Sequence, residues 1–210
     1  MAIKPILFNT EMVRSTLDGR KSCTRRLVKI QPKDNEYTVV FTRKDVQIKT
    51  EKTTAKSPYQ VGDILYVRET WERFECWNCE GDERGNCPKE PQKSVFGKTC
   101  GCYMYRATDE IYGDARWHPS IRMPKEAARI WLKVTDVRVE RLQEITSEQI
   151  GREGVEVEYP HVLNGEEKRY AFSTLWNSTI KKSDIDTYGW DANPWVWVIE
   201  FERCEKPKGV

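Results

Sequence analysis

Short apolar runs, broken every few residues by polar ones, make up most of the hydrophobic pattern of this chain. Such runs predict β-strands, because a core helix needs a longer apolar stripe at helical spacing. The predicted strands cover residues 3–8, 26–30, 37–41, 46–49, 64–71, 103–106, 128–142 and 195–201. The short spacing between the third and fourth runs predicts a hairpin, and the last run is very apolar.

Three short segments carry helix signals instead, over residues 11–17, 148–152 and 172–180. Asn9 or Thr10 is placed to cap the first helix, and Gly19 and Gly154 are placed to end the first and second helices. Many strands with few short helices predict an α+β domain. We expect a small barrel with helices at its edges, not a parallel βαβ sheet.

The length of 210 residues fits a single domain over residues 1–210. Residues 74–103 have neither helical nor strand periodicity and are predicted to be an insertion into it. Eight tryptophans and nine tyrosines predict an aromatic core or cleft. No apolar run approaches the roughly 20 residues that span a bilayer. Residues 1–10 lack the apolar region of a secretory signal, so we expect a cytoplasmic protein without a membrane partner.

Charge is distributed unevenly along the chain. Residues 1–60 contain 13 Lys and Arg against 6 Asp and Glu, a net charge of +7. Because the whole chain carries +2, the remaining residues carry −5. A basic N-terminal third suits contact with the phosphates of RNA or DNA, and a solvated basic surface is the alternative interpretation.

Five of the seven cysteines fall between residues 76 and 102, inside the predicted insertion. Cys76 and Cys79 form a C-x-x-C pair, the spacing of zinc knuckles, whose thiolates bind Zn²⁺ tetrahedrally. The predicted ligands are Cys76, Cys79, Cys87 and Cys100, with Cys102 as the alternate. Because the segment has little to bury, one structural zinc ion would supply the stability that it needs to fold.

Reduced free cysteines and a redox C-x-x-C pair are the alternatives to zinc. No βαβ pattern surrounds the pair, which disfavours the redox role. A catalytic zinc is disfavoured because the two histidines are isolated and four thiolates would close the coordination sphere. The expected cytoplasmic location argues against a disulfide framework. Cys23 and Cys204 stand alone and are predicted to be buried.

The octapeptide GRKSCTRR at residues 19–26 is the strongest candidate for a functional centre. Its candidate nucleic-acid-binding or substrate-binding cations are Arg20, Arg25 and Arg26. Neighbouring residues on a strand point to opposite faces, so one of Arg25 and Arg26 can bind a phosphate while the other pairs with a carboxylate. The aromatic side chains that are candidates to stack on a base, with core packing as the alternative, are Tyr66, Trp71 and Trp117.

The order of several motifs resembles the ASCH domain, a family of PUA-like β-barrels. The motifs that carry this match are Phe8-Asn9-Thr10-Glu11-Met12-Val13, Gly19-Arg20-Lys21, Val61-Gly62-Asp63, Arg152-Glu153-Gly154 and the apolar strand from Trp195 to Glu202. The match extends over about residues 4–203, and the chain is similar to the larger ASCH-domain proteins of bacteriophages and prophages. The resemblance implies a PUA-like mixed β-barrel with short flanking helices, into which the cysteine-rich zinc knuckle is inserted.

Relatives of this domain bind RNA or modified bases, and a compact bacterial member removes the acetyl group from N4-acetylcytidine. By this resemblance Thr24 is the nucleophile, Lys21 is its activator and Glu153 is the acid/base group. These residue types suit amide hydrolysis, which needs a nucleophile, a proton acceptor and a proton donor. Ser22 and Cys23 depart from that hydrolase, which has a threonine and an aliphatic residue at these positions.

The spacing of Lys21 and Thr24 sets a condition on catalysis. Residues three positions apart on a regular strand lie on opposite faces. The two side chains can share a pocket only if the backbone bends at Ser22–Cys23, which Gly19 makes easier. Otherwise Lys21 and Arg25 bind phosphate and Thr24 is an ordinary strand residue.

Three functions therefore remain open at the level of sequence. The first is an amidohydrolase that deacylates a modified nucleoside similar to N4-acetylcytidine. The second is a binding module for RNA, DNA or a modified base that performs no chemistry. The third is a phage accessory protein whose barrel serves as an interaction scaffold.

The zinc assignment predicts that the purified protein contains about one equivalent of zinc. Metal analysis of protein that has not been exposed to chelators measures this directly. A content below about half an equivalent, without loss during purification, would count against a structural site.

Overall fold

The structure is a computed structural model, and it describes residues 1–32, 37–41, 45–75, 92–94, 97–99, 101–111, 116–157 and 166–209. Its strands are β1 Ile3–Leu7, β2 Cys23–Leu27, β3 Thr38–Phe41, β4 Val46–Lys49, β5 Thr54–Lys56, β6 Ile64–Arg68, β7 Trp71–Glu75, β8 Gln92–Ser94, β9 Gly97–Thr99, β10 Gly101–Tyr105, β11 Trp131–Arg141 and β12 Trp195–Cys204. Its helices are α1 Thr10–Leu17, α2 Ser147–Arg152, α3 Glu166–Thr179 and α4 Ile185–Tyr188. The fold is α+β.

A five-stranded mixed sheet in the order β1-β6-β11-β12-β2 forms the centre of the molecule. β1 and β6 are parallel, and the other neighbours are antiparallel. The long pairing of β11 with β12 contains a register shift between Val134 and Asp136, which bends the strand. Two hairpin-like sheets, β3-β4-β5 and β7-β10, lie beside this central sheet.

The two faces of the central sheet bury different clusters. One face packs with α1 and β4, where Val13 and Ile48 join Phe8 and Ile199 in the largest apolar cluster. The other face is covered by α2 and α3 through a second cluster that contains Ile150, Phe172 and Trp176. Strand β2 is an edge strand between these two layers, so its side chains reach both of them.

The barrel implied by the ASCH resemblance is not closed by strand pairing among the described residues, because β1 and β2 are the two edges of the sheet. A side chain spans these edges instead. Arg26 on β2 donates from Nη2 to the carbonyl oxygen of Leu7 on β1, at 3.2 Å. The sheet is therefore curled far enough to bring its edges together at one point.

Most predicted elements are present, with shifted ends. Strand β2 begins at Cys23, three residues before the predicted start at residue 26, so Thr24 and Arg25 are strand residues. Helix α3 begins at Glu166, not near residue 172, and β5 lies between the predicted strands 46–49 and 64–71, where no strand was predicted. In the part of the chain that the structure describes, no helix has the length and apolar character needed to cross a bilayer.

Candidate functional site

The backbone of the octapeptide is fixed between the ends of two helices. Gly19 takes a positive φ of 77°, which lets the chain turn back at the end of α1. The backbone N–H groups of Arg20 and Lys21 both donate to the carbonyl oxygen of Ser15, at 2.9 Å. The N–H of Ser22 donates to the carbonyl of Arg152 at the end of α2, also at 2.9 Å. Lys21 is thereby placed where α1, α2 and β2 meet.

The Lys21 ammonium is buried and donates three hydrogen bonds. Its side chain is 0% exposed. Nζ lies 2.8 Å from each of three acceptors, which are the carbonyl of Cys23, the carbonyl of Glu153 and Oε2 of Glu153. An ammonium group has three N–H donors, so all of them are used.

Glu153 is held by two cations at once. Oε2 accepts from Lys21, and Oε1 accepts from Nη1 of Arg25 at 3.1 Å. Arg25, whose side chain is 1% exposed, also donates from Nη2 to Oε1 of Gln149 at 3.1 Å. The Glu153 carboxylate is therefore fixed in position, and Glu153 lines the cavity described below.

A chain of ion pairs continues from Arg25 and returns to the octapeptide. Arg25 pairs with Glu140 at 3.3 Å, and Glu140 in turn pairs with Arg138. Glu200 lies 2.6 Å from both Arg138 and Arg152. Burial raises the pKa of Glu200, but the hydrogen bonds from these two arginines outweigh it and hold the pKa below its usual value.

Arg152 connects this chain of ion pairs to the residue that precedes β2. Its Nε donates to the hydroxyl of Ser22, at 3.2 Å. The hydrogen bond to Glu200 raises the pKa of the Arg152 guanidinium. The ion pairs therefore tie the start of β2 to α2 and to the long strands β11 and β12.

Gly154 allows α2 to approach α1 closely enough for Glu153 to reach Lys21. It has a positive φ of 86°. A Cβ atom at this position would lie 2.4 Å from Oγ of Ser15 and 3.2 Å from Cβ of Lys21. Only glycine fits this contact without moving the helices.

Thr24 and Arg26 lie on the opposite face of β2 from Arg25. Oγ1 of Thr24 accepts a hydrogen bond from Nη1 of Arg26, at 2.9 Å. Nη1 also donates to the carbonyl of Arg25 at 3.0 Å, in addition to the bond from Nη2 to Leu7. Burial lowers the pKa of the Arg26 guanidinium below its ordinary value.

A cavity of about 310 Å³ lies along the free edge of β2, between α1 and α3. Its polar wall includes Thr24, Arg26 and Glu153, and its apolar wall includes Phe172 and Trp176. The described residues that line it are Asn9, Glu11, Met12, Ser15, Thr24, Arg25, Arg26, Leu27, Glu153, Gly154, Val155, Phe172, Leu175, Trp176, Thr179 and Ile180. This cavity is the candidate functional site.

The structure brings the three predicted catalytic residues together in part. Lys21 bonds directly to Glu153, and Thr24 and Glu153 line the same cavity. Within the described part of the chain, no hydrogen bond joins Thr24 to Lys21 or to Glu153. The backbone at Ser22–Cys23 continues the pairing with β12, since Cys23 belongs to β2 and the carbonyl of Ser22 accepts from the N–H of Phe201 at 2.9 Å. The Lys21 side chain reaches the carbonyl of Cys23 from the residues that precede the strand.

The predicted aromatic stackers lie elsewhere. The ring centroid of Tyr66 lies 6.0 Å from that of Trp131, and the ring of Trp71 packs against those of Tyr103 and His118. Trp117, which is half-buried, also does not line the cavity as far as the structure describes it.

Arg20 is not among the described residues that line the cavity. It pairs with Asp18 at 2.9 Å and with Glu156 at 3.2 Å, and it donates to the carbonyl of Gly154 at 3.3 Å. Sequence reasoning missed the aromatic wall of α3. The helical spacing of Phe172 and Trp176, four positions apart, was the signal for a shared face.

The cysteines divide into two groups. Cys76, Cys79, Cys87 and Cys100 lie outside the described residues, and Cys102 is described only as a backbone position of β10, so the zinc site stays a prediction. Cys23 is buried as predicted, whereas Cys204 is half-buried. Burial, aided by the charge of Glu153, raises the pKa of the Cys23 thiol to about 12, which makes it a poor nucleophile near neutral pH.

Comparison with known proteins gives one structural similarity. The crystal structure of an ASCH domain from Lactobacillus crispatus JV V101 aligns with 96% of this chain and 79% of its own, at 10% identity and a TM-score of 0.37. No protein-family model and no curated protein matches the chain. A TM-score this low does not decide the fold family, so the ASCH assignment rests on the sequence motifs.

Gly154→Ala is predicted to destabilise the protein more than Gly62→Ala, because both glycines have positive φ but only Gly154 has close neighbours. We expect a loss of about 1 kcal/mol for Gly62→Ala from backbone strain, and about 1–3 kcal/mol more for Gly154→Ala from overpacking. Urea denaturation of the two variants and the parent protein measures the difference. Equal losses would show that the contact of α2 with α1 tolerates an added methyl group.

Proposed function

We propose that this chain is an ASCH-like domain that binds a nucleobase or nucleoside in the cavity beside β2 and hydrolyses an acylamide on it. The observation that carries the proposal is that one cavity is lined by the polar residues Thr24, Arg26 and Glu153 and also by the aromatic residues Phe172 and Trp176. A flat aromatic ligand requires this combination of apolar faces and polar groups at its edge.

The size of the cavity agrees with a small ligand. Its volume of about 310 Å³ is at the lower end of the range of small-molecule pockets, roughly 300–1,000 Å³. The motif resemblance to the ASCH family, of the larger phage-associated type, adds the expectation of a modified cytidine. An N4-acyl group is a modification with an amide bond that a hydroxyl nucleophile can attack.

The first half of the reaction transfers the acyl group to Thr24. The hydroxyl proton of Thr24 passes to Glu153, directly or through one water, as Oγ1 attacks the carbonyl carbon of the acylamide. Arg26, which already donates to Oγ1, stabilises the negative charge that develops beside it. The C–N bond then breaks, and Glu153 returns the proton to the leaving amino group.

The second half regenerates the enzyme. Water attacks the carbonyl carbon of the ester on Thr24 and gives one proton to Glu153. The bond between that carbon and Oγ1 of Thr24 then breaks, Glu153 returns the proton to Oγ1, and the carboxylic acid leaves. Lys21 acts by holding Glu153, since its three N–H groups are engaged with Cys23 and Glu153. In this proposal Lys21 is a positioning residue for the acid/base group.

The proposal predicts hydrolysis of N4-acetylcytidine to cytidine and acetate, followed by the change in ultraviolet absorbance. Thr24→Val and Glu153→Gln should each lower kcat/KM by about 10²–10⁴-fold, because one removes the nucleophile and the other removes the proton carrier. Matched controls are Thr174→Val on α3 and Glu148→Gln on α2, both exposed and outside the cavity lining. Turnover that survives Thr24→Val, or no turnover by the parent protein, would refute the hydrolase for this substrate.

A second candidate function is a binding module for single-stranded RNA or DNA that performs no chemistry. The observation that favours it is the saturated Lys21 ammonium, which is not placed to take a proton from Thr24. The aromatic wall and the cations beside β2 would then hold one base and the adjoining backbone. The basic N-terminal third of the chain would contribute further phosphate contacts.

The binding module predicts a clear salt dependence. Affinity for a fluorescent single-stranded oligonucleotide should fall linearly on a plot of log K against log salt concentration, by a slope of about 0.7 per phosphate contact. Titrations at several salt concentrations, with RNA and DNA of the same sequence, measure the slope. A slope near zero would exclude phosphate-driven docking.

A further inference from the structure

Arg26 differs from the other arginines that the structure places in buried positions near the central sheet. Arg25 pairs with Glu153 and Glu140, and Arg129 forms a two-pronged pair with Glu69. Arg26 instead donates to three uncharged oxygens, which belong to Thr24, Arg25 and Leu7. Among the residues that the structure describes, no carboxylate pairs with Arg26.

Two N–H groups of the Arg26 guanidinium have no acceptor among the described residues and are available to a ligand. It has five N–H groups, and the described structure accounts for three of them, two on Nη1 and one on Nη2. One N–H on Nη2 and the N–H on Nε are left, and the residue lines the cavity. Two donors on one planar group match the spacing of two oxygens of a phosphate or carboxylate.

A partly buried cation that has no hydrogen-bonded carboxylate is stabilised when an anion binds to it. Removing a charge from water costs free energy that is recovered only when an opposite charge lies close by. The carboxylates of the described cavity lining, Glu11 and Glu153, already have cationic partners, which are Arg14 for Glu11 and Lys21 and Arg25 for Glu153. Arg25 also pairs with Glu140, so Arg26 is the cation beside Thr24 that has no hydrogen-bonded carboxylate among the described residues.

We propose that Arg26 forms an anion-binding subsite of the cavity. The ligand is then an anionic nucleotide whose phosphate binds Arg26. This inference rests on the proposed function, since it specifies the ligand of the same cavity. The two neighbouring arginines of the octapeptide then have different roles. Arg25 pairs with the carboxylate of Glu153 on one face of β2, and Arg26 receives the ligand's anion on the other.

The test compares the four ribonucleosides with their 5′-monophosphates by isothermal titration calorimetry, with inorganic phosphate and acetate titrated separately. In the parent protein at least one nucleotide should bind about 10–100-fold more tightly than its nucleoside, the range expected for a charge-assisted pair. Arg26→Gln should reduce this ratio to about threefold or less, and Arg26→Lys should keep part of it. The control is Arg20→Gln, an arginine of the same octapeptide outside the cavity, which should leave the ratio unchanged.

Each outcome separates the subsite from the proposed function. Equal binding of nucleoside and nucleotide by the parent protein overturns the subsite and leaves the base-binding cavity standing. In another outcome, inorganic phosphate binds the parent protein but not Arg26→Gln, and nucleotides bind no more tightly than phosphate. This result supports the subsite and overturns the base-binding proposal. Tighter binding of acetate than of phosphate assigns the subsite to a carboxylate and overturns the nucleotide, and no binding by any probe overturns both. If Arg26→Gln does not fold, the nucleotide-to-nucleoside ratio of the parent protein and of Arg26→Lys still decides.

Discussion

The ion pair between Lys21 and Glu153 is the interaction on which the rest of this site depends. Both groups are withdrawn from water, with side chains 0% and 6% exposed, so the pair is stable only because every Lys21 donor has an acceptor and a second cation, Arg25, reaches the same carboxylate. Removing one partner from such a pair costs about 3–5 kcal/mol, since it leaves the other charge buried and uncompensated. The same pair ties the end of α2 to the start of β2 and so holds Glu153 at the wall of the cavity.

Alternate residues of β2 lie in two different environments, because β2 is an edge strand whose successive side chains point to opposite faces of the sheet. Cys23 and Arg25 point to the layer of α2, where each contacts Gln149 or Glu153. Thr24 and Arg26 point to the layer of β1 and α1. An interior strand could not do this beside a cavity, because a neighbouring strand would occupy the edge. The edge of the sheet is left open where a ligand fits.

Local sequence signals predicted the elements but not their assembly. Asn9 accepts from the N–H of Met12 as a helix cap, Gly19 and Gly154 end helices with positive φ, and Cys23 is buried, as the residue types indicated. The site depends on contacts between residues more than 120 positions apart, such as Lys21 with Glu153, and only the family resemblance linked them. The alternation of side chains along a strand predicted that Arg25 and Arg26 point to opposite faces. It could not predict which of the two pairs with a carboxylate. The spacing of apolar residues did not distinguish Phe172 and Trp176, which line the cavity, from Tyr66 and Trp71, which do not. Aromatic residues that pack in a core and those that line a cavity have the same spacing along a strand or helix.

In the proposed function, Arg26 would serve both ligand binding and the reaction. One nitrogen of its guanidinium donates to Thr24 and to the carbonyl of Arg25, and the N–H on Nε and one N–H on Nη2 have no acceptor among the described residues. Because the guanidinium is rigid and planar, an anion held on the remaining donors lies at a set distance from Oγ1 of Thr24. Placing the ligand relative to the nucleophile in this way lowers the entropic part of a reaction barrier. In the proposed hydrolase the bond between Arg26 and Thr24 would keep the guanidinium beside the oxygen that attacks, whereas in the proposed binding module the same bond would only orient the guanidinium.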